Sequence, residues 1–155
     1  MTLKYSQILV AVDGSREAAW AFQKAIDIAV RNHATLNIVH IIDNRSFGLV
    51  KAHDRSTFQF TKHRAQELLD ECEKTAKSAG VEKVNGLIEY GIPKVIIPRD
   101  LAEKVHADLI VCGATGLDAA ERLIMGSVST AIVRSASCDV LVVRTEEITE
   151  ASENQ

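Results

Sequence analysis

Asp108-Leu-Ile-Val-Cys112 runs straight into Gly113-Ala-Thr-Gly116-Leu-Asp-Ala-Ala-Glu-Arg-Leu-Ile-Met-Gly126-Ser127, and the order of these parts decides how the rest of the chain is read. A short apolar run ending at a glycine reads as a strand buried on both faces. The glycines then recur as G-x2-G-x9-G-S, and Ser127 opens a stretch with helical spacing. Strand, glycine loop and helix start in that order make an anion-binding arrangement. Glycine lets backbone N–H groups approach a ligand closely, and a helix start adds unpaired donors at the positive end of the dipole. Three glycines at fixed spacing arise by chance in roughly a few per cent of chains of this length, so the meaning comes from the strand before and the helix after. The competing role for the same glycines is tight turns and close helix–sheet packing.

Upstream, strand and helix patterns alternate. Ile8–Val12 is a continuous apolar run, broken by Asp13-Gly14-Ser15. Ser15 suits the N-cap of a helix from Arg16 to about Asn32, with Phe22, Ile26, Ala29 and Val30 as its apolar stripe. Thr35–Ile42 reads as a second strand. Asp43–Thr57 is polar and long for a loop, either a lid or a surface excursion. Phe58–Ala79 reads as a helix stopped by Gly80, and Val81–Tyr90 as a third strand with a bulge at Gly86. A third helical region runs from Pro93 to about His106. Pro98 inside it predicts a kink, or two short helices with Pro98 starting the second. Past the glycine loop come a helix from Ser127 to about Ala136 and a strand, Asp139–Arg144. The acidic stretch Glu146–Gln155 reads as a disordered tail.

Five strands alternating with four helices predict one α/β domain over residues 1–145, with a parallel sheet, helices on both faces and right-handed crossovers. Such sheets bind ligands at the carboxyl ends of the strands, where strand order reverses. An order 3-2-1-4-5 would bring Asp13 and Gly113, which end the first and fourth strands, to one crevice.

Composition narrows the function classes. The 155 residues are 46% apolar and 25% charged, with a net charge of −3, which gives no electrostatic case for nucleic acid or an anionic membrane surface. No apolar run approaches the ~20 residues of a membrane span, and Gln7–Val12 is too short for a signal h-region; a cytoplasmic protein is expected. The three cysteines, Cys72, Cys112 and Cys138, sit scattered in apolar contexts and read as buried free thiols. The five histidines show no ligand spacing, so a zinc site is not expected. There is no G-x4-G-K-[ST] and no G-x-G-x-x-G after the first strand, which leaves no P-loop lysine for phosphoryl transfer and weakens a dinucleotide reading.

Taken together, these segments resemble the universal stress proteins (UspA-like), in particular their ATP-binding subgroup, over nearly the whole chain. The resemblance rests on Ile8-Leu-Val-Ala-Val-Asp13-Gly-Ser15, Ile38-Val-His-Ile-Ile-Asp43, Tyr90-Gly-Ile-Pro93, Ala107–Gly113, the glycine pattern, and Cys138-Asp-Val-Leu-Val-Val-Arg144. It implies a Rossmann-like sheet of order 3-2-1-4-5 and bound ATP with Mg2+ or Mn2+ held mainly by the phosphates. By the same resemblance, Ala11, Val12 and Ile41 would line the adenine pocket, with backbone groups reading the base edge, and Asp13 would sit by the ribose. Cys112 would border the site. Gly113, Gly116 and Gly126 would wrap the phosphates, and Ser127, Val128 and Ser129 would offer donors at the helix start. Asp13 also suits an Asx turn. Between Gly91 and Gly113 the chain is one residue longer than the usual family spacing.

Three function classes follow: an ATP-binding regulatory or stress-response protein, a slow ATPase or adenylate-using enzyme on the same fold, and a dimeric interaction protein with an empty site. Asp118, Glu121 and Arg122 lie inside the glycine loop, and Arg122 is the best placed of them for a phosphate contact. Their plainer role is a solvated loop face, so at most slow hydrolysis is expected. The apolar run Val140–Val143, as a last strand at a sheet edge, predicts a homodimer paired through that edge.

Overall fold

In the computed structural model, residues 3–43, 45, 55–114 and 125–145 are described. They form β1 (Gln7–Ala11), α1 (Arg16–Asn32), β2 (Thr35–Ile42), α2 (Arg55–Ser78) and β3 (Lys83–Tyr90). A composite helix α3 follows in three abutting pieces, Pro93–Ile96, Ile97–Leu101 and Ala102–Lys104, and then β4 (Leu109–Gly113), α4 (Ser127–Ser135) and β5 (Asp139–Val143). The strands pair in parallel in the order β3-β2-β1-β4-β5, as expected. The order reverses between β1 and β4, where Ile8 is level with Leu109 and Val10 with Val111.

Alternation along the strands divides the core. Ile8, Val10, Leu36, Ile38, Leu109 and Val111 face α1 and α2. Leu9, Val39 and Ile110 face α3 and α4, where Ile97, Leu101 and Ile132 cover them. Both sheet faces are therefore apolar, which is why these strands read as unbroken hydrophobic runs. Helix α1 starts as its sequence predicts: the Ser15 hydroxyl accepts from the Ala18 N–H at 3.2 Å. It ends at His33, whose φ of 53° closes the last turn.

The amino ends of the strands are tied together by side chains. Asp108 accepts from the Ser6 N–H at 2.7 Å and the Gln7 N–H at 3.0 Å. Tyr5 donates its hydroxyl to Asp139 at 2.8 Å. One polar side chain is buried mid-sheet: Asn37, 2% exposed, donates to the Gln7 side chain and the Ile8 carbonyl and accepts from Asn85. Those bonds keep a buried amide from being left unpaired.

Three local expectations need correction. Helix α2 begins at Arg55, so the polar segment expected as loop to Thr57 is already helical at its end; residues 44 and 46–54 lie outside the described residues. Gly86 is not a bulge, because β3 runs in unbroken register with β2 from Lys83 to Tyr90. Its missing side chain instead leaves room for the Glu73 carboxylate, which lies over it. Pro98 neither ends α3 nor starts a second helix. It is the second residue of a π-helical turn, Ile97–Leu101. The wider i→i+5 turn accommodates a residue that cannot donate an N–H and takes up one residue more than an α-turn. The tail from 146 lies outside the described residues. Among the described helices none is long and apolar enough to cross a membrane.

Candidate functional site

A crevice of ≈ 190 Å³ opens at the carboxyl ends of β1 and β4, where strand order reverses. Its walls come from six elements. The end of β1 and the turn after it supply Ala11, Val12 and Asp13, and β4 supplies Ile110, Val111, Cys112 and Gly113. The start of α1 adds Ser15, Glu17 and Ala18. Pro93 and Ile97 of α3, Val128 and Ile132 of α4, and Ile41 of β2 close the remaining sides.

The turn after β1 is held open by its own bonds. The Ser15 N–H donates to Asp13 Oδ1 at 2.8 Å, an Asx turn, and Gly14 takes φ +82°, a conformation that favours glycine. Asp13 thus fills the turn role anticipated for it and also lines the crevice.

Ile41 is placed by the ladder. Val39 faces β1, since its carbonyl accepts from the Val12 N–H at 2.9 Å, and Ile42 faces β3, since its carbonyl accepts from the Gly91 N–H at 3.1 Å. Peptide groups alternate in direction along a parallel pair, so the N–H and C=O of Ile41 point to the side of β1 beyond its last residue, Ala11. The Val12 carbonyl is bonded at 2.7 Å to Nδ1 of His40.

Helix α4 presents its N-terminus. Gly126 caps it in an extended conformation, and the Gly126 carbonyl accepts from the Thr130 N–H at 3.0 Å and the Ser129 hydroxyl at 3.1 Å. The N–H groups of Ser127, Val128 and Ser129 are the first three of the helix and have no intrahelical acceptor. Ser129 offers only its N–H outward, because its hydroxyl is buried and turned back to Gly126.

Gly113 has a packing reason to be glycine. A Cβ there would stand 2.8 Å from the Glu17 carbonyl oxygen and 3.1 Å from its carbon, so β4 lies directly against the backbone of α1. Cys112 is half-buried beside it, and burial pushes its thiol up to about 11. It is a neutral wall group, not a nucleophile.

Of the residues expected from sequence, Ala11, Val12, Asp13, Ile41, Cys112, Gly113 and Val128 line one crevice. Gly126, Ser127 and Ser129 stand at the head of the same helix as Val128. Gly116 and Arg122, with Asp118 and Glu121, lie outside the described residues. Sequence reasoning missed Ser15, Glu17, Ala18, Pro93, Ile97, Ile110, Val111 and Ile132. Ile132 was within reach as the residue one helical turn after Val128, and Glu17 and Ala18 as the first turn after the Ser15 cap. Ile97 was likewise within reach, as the residue one helical turn after Pro93, to whose carbonyl its N–H is bonded.

The described residues hold no group of three or more His, Cys, Asp or Glu side chains arranged for a metal ion. What the arrangement provides is a narrow apolar slot, a strand edge offering one donor and one acceptor, and a helix N-terminus.

Residues 4–144 match the family model for the universal stress protein family. A Staphylococcus haemolyticus protein named for that family is 53% identical over 148 residues, covering 96% of this chain and 90% of the relative. Among solved structures, the universal stress protein UspA from Lactobacillus plantarum is 30% identical with a TM-score of 0.73, covering 92% of this chain and 100% of that one. A universal stress protein in complex with cAMP is 28% identical with a TM-score of 0.70, covering 92% and 99%.

Proposed function

The chain belongs to the universal stress protein family, and from that premise we propose that it is an ATP-binding regulatory or stress-response protein. The observation that carries the proposal is the pairing of two backbone features across one crevice: the outward N–H and C=O of Ile41, and the unpaired N–H groups that open α4. An adenine edge offers an acceptor at N1 beside a donor at N6, the complement of a strand peptide. A phosphate chain suits a helix N-terminus. The cAMP complex of a relative makes an adenine nucleotide the natural class of ligand.

Size sets the pose. At ≈ 190 Å³ the crevice falls below the ~300 Å³ at which pockets for whole drug-sized ligands begin. The described walls would therefore hold the base and sugar, with Asp13 beside the ribose. The phosphates would lead toward Gly126 and the glycine loop, where Gly116 and Arg122 are the expected contacts, with Mg2+ or Mn2+ held mainly by the phosphates. No P-loop lysine is present in the sequence, so the proposal is a holding site with at most slow hydrolysis.

Titration calorimetry with ATP, with and without Mg2+, tests this, together with mass spectrometry of nucleotide released from the purified protein. Magnesium-dependent ATP binding supports the proposal, and Gly116→Val is expected to abolish it. A protein that carries no nucleotide and gives no heat with ATP or AMP refutes it.

We also propose a two-fold dimer paired through β5. That strand ends the sheet on one side, and Val140, Leu141 and Val142 are only half-buried in the single chain. Antiparallel pairing with a second copy would satisfy its free edge. Light scattering on a chain truncated before Asp139 should give monomer or insoluble protein; a well-folded dimer after that cut rules the interface out.

A further inference from the structure

The β1–β2 ladder stops one rung early. Ala11 is level with Val39, and the Val12 N–H reaches the Val39 carbonyl. The next rung of a parallel ladder would run from the Ile41 N–H to the Val12 carbonyl. That rung is not made, and the Val12 carbonyl is bonded instead to His40 Nδ1 at 2.7 Å. A carbonyl can only accept, so Nδ1 carries a proton and donates. His40 alternates with Ile41, so its ring stands on the α1–α2 face of the sheet, away from the crevice that Ile41 lines.

We infer that His40 is a positioning residue for base selectivity: by holding the Val12 carbonyl on its imidazole, off the β1–β2 rung, it keeps the Ile41 N–H free to donate to N1 of adenine. The inference rests on the adenine reading of the crevice. Adenine presents an unprotonated N1 beside an amino group, whereas hypoxanthine presents a protonated N1 beside an oxygen. A free, fixed N–H at Ile41 accepts the first and opposes the second. Without His40, the Ile41 N–H closes onto the Val12 carbonyl and the base edge loses its reader.

Amide hydrogen exchange on the nucleotide-free protein tests the first half. In the wild type the Ile41 amide exchanges openly while that of Val39 is protected. In His40→Leu the Ile41 amide slows by at least about tenfold, the factor that one net hydrogen bond supplies. In His40→Asn, whose Nδ2 stands in for Nδ1, it stays open. Calorimetry with ATP and ITP tests the second half. His40→Leu loses about tenfold in ATP affinity, with ITP changed by less than about twofold, and His40→Asn keeps the wild-type preference. A wild-type Ile41 amide as protected as Val39 overturns the inference without needing any variant to fold. So does a His40→Leu protein that keeps its full preference for ATP. A wild type that binds ATP and ITP alike removes the adenine reading and the selectivity role with it, whereas failure of the exchange arm alone removes only the role of His40.

Discussion

At its amino end the β1–β4 pair is closed by side chains: Asp108 grips the Ser6 and Gln7 N–H groups, and Tyr5 reaches across to Asp139. At its carboxyl end the same two strands part. The chain after β1 turns away through Gly14, Ile41 is left without its rung, and apolar residues from α3 and α4 frame a gap. One pair of strands thus carries a staple at one end and a slot at the other. Backbone groups left unpaired are a cost in a buried strand and an asset at a crevice mouth, where a ligand can meet them. Substitutions at the two ends should therefore separate stability from binding.

The largest effect is expected where the two functions meet. Gly113→Ala drives a methyl into the Glu17 backbone, which cannot swing aside as a side chain would. A loss of ~1–3 kcal/mol is expected in urea denaturation, together with weaker ATP binding because the start of α1 is a wall of the slot. Asp108→Ala should cost about 1–2 kcal/mol, read as a fall of roughly 2–8 °C in Tm, while ATP affinity per folded molecule stays unchanged. If Asp108→Ala weakens ATP as much as Gly113→Ala does, the separation of the two ends is wrong.

Cys112 sharpens the slot end. With its thiol pushed up to about 11 by burial, roughly one molecule in a thousand is thiolate at pH 8. Iodoacetamide should therefore label it slowly, faster with each pH unit, and more slowly still with ATP bound. Labelling indifferent to ATP would place the nucleotide elsewhere.

The smallest effect is Tyr5→Phe at the closed end. The hydrogen bond to Asp139 and partial burial raise the Tyr5 pKa above its ordinary 10.0. The folded state therefore holds the phenol proton more tightly than the unfolded state. That contribution is full below about pH 10 and is lost as pH rises through the folded value. Alkaline denaturation of Tyr5→Phe should start from slightly lower stability and show a shallower fall above pH 10. An unchanged alkaline limb would remove Tyr5 from the staple.

The sheet was legible because both of its faces are apolar, so each strand stood out as an unbroken run between Gly, Asp and Ser breaks. The slot was legible where a strand ended at a turn residue, as at Asp13 and Gly113, and where Gly126-Ser127 opened a helix. It was not legible where direction depended on distant backbone. His40 matters only because β1 ends opposite it. That fact leaves no trace in the residues nearby. Gly86 misled for the same reason: the space it leaves is filled by Glu73 from another element.

The π turn at Ile97–Leu101 bears on how this chain lines up with others. A length change inside an α-helix normally rotates everything beyond it by about 100°. One taken up as a wide turn does not: Pro93 and Ile97 keep the slot on one side, and Leu101 and Ala102 keep the core on the other. A residue added at such a turn is recorded as a local swelling of the helix. An alignment gap placed between Ile97 and Leu101 would preserve every facing position on either side, whereas one placed in the loops at either end would put part of the helix out of phase.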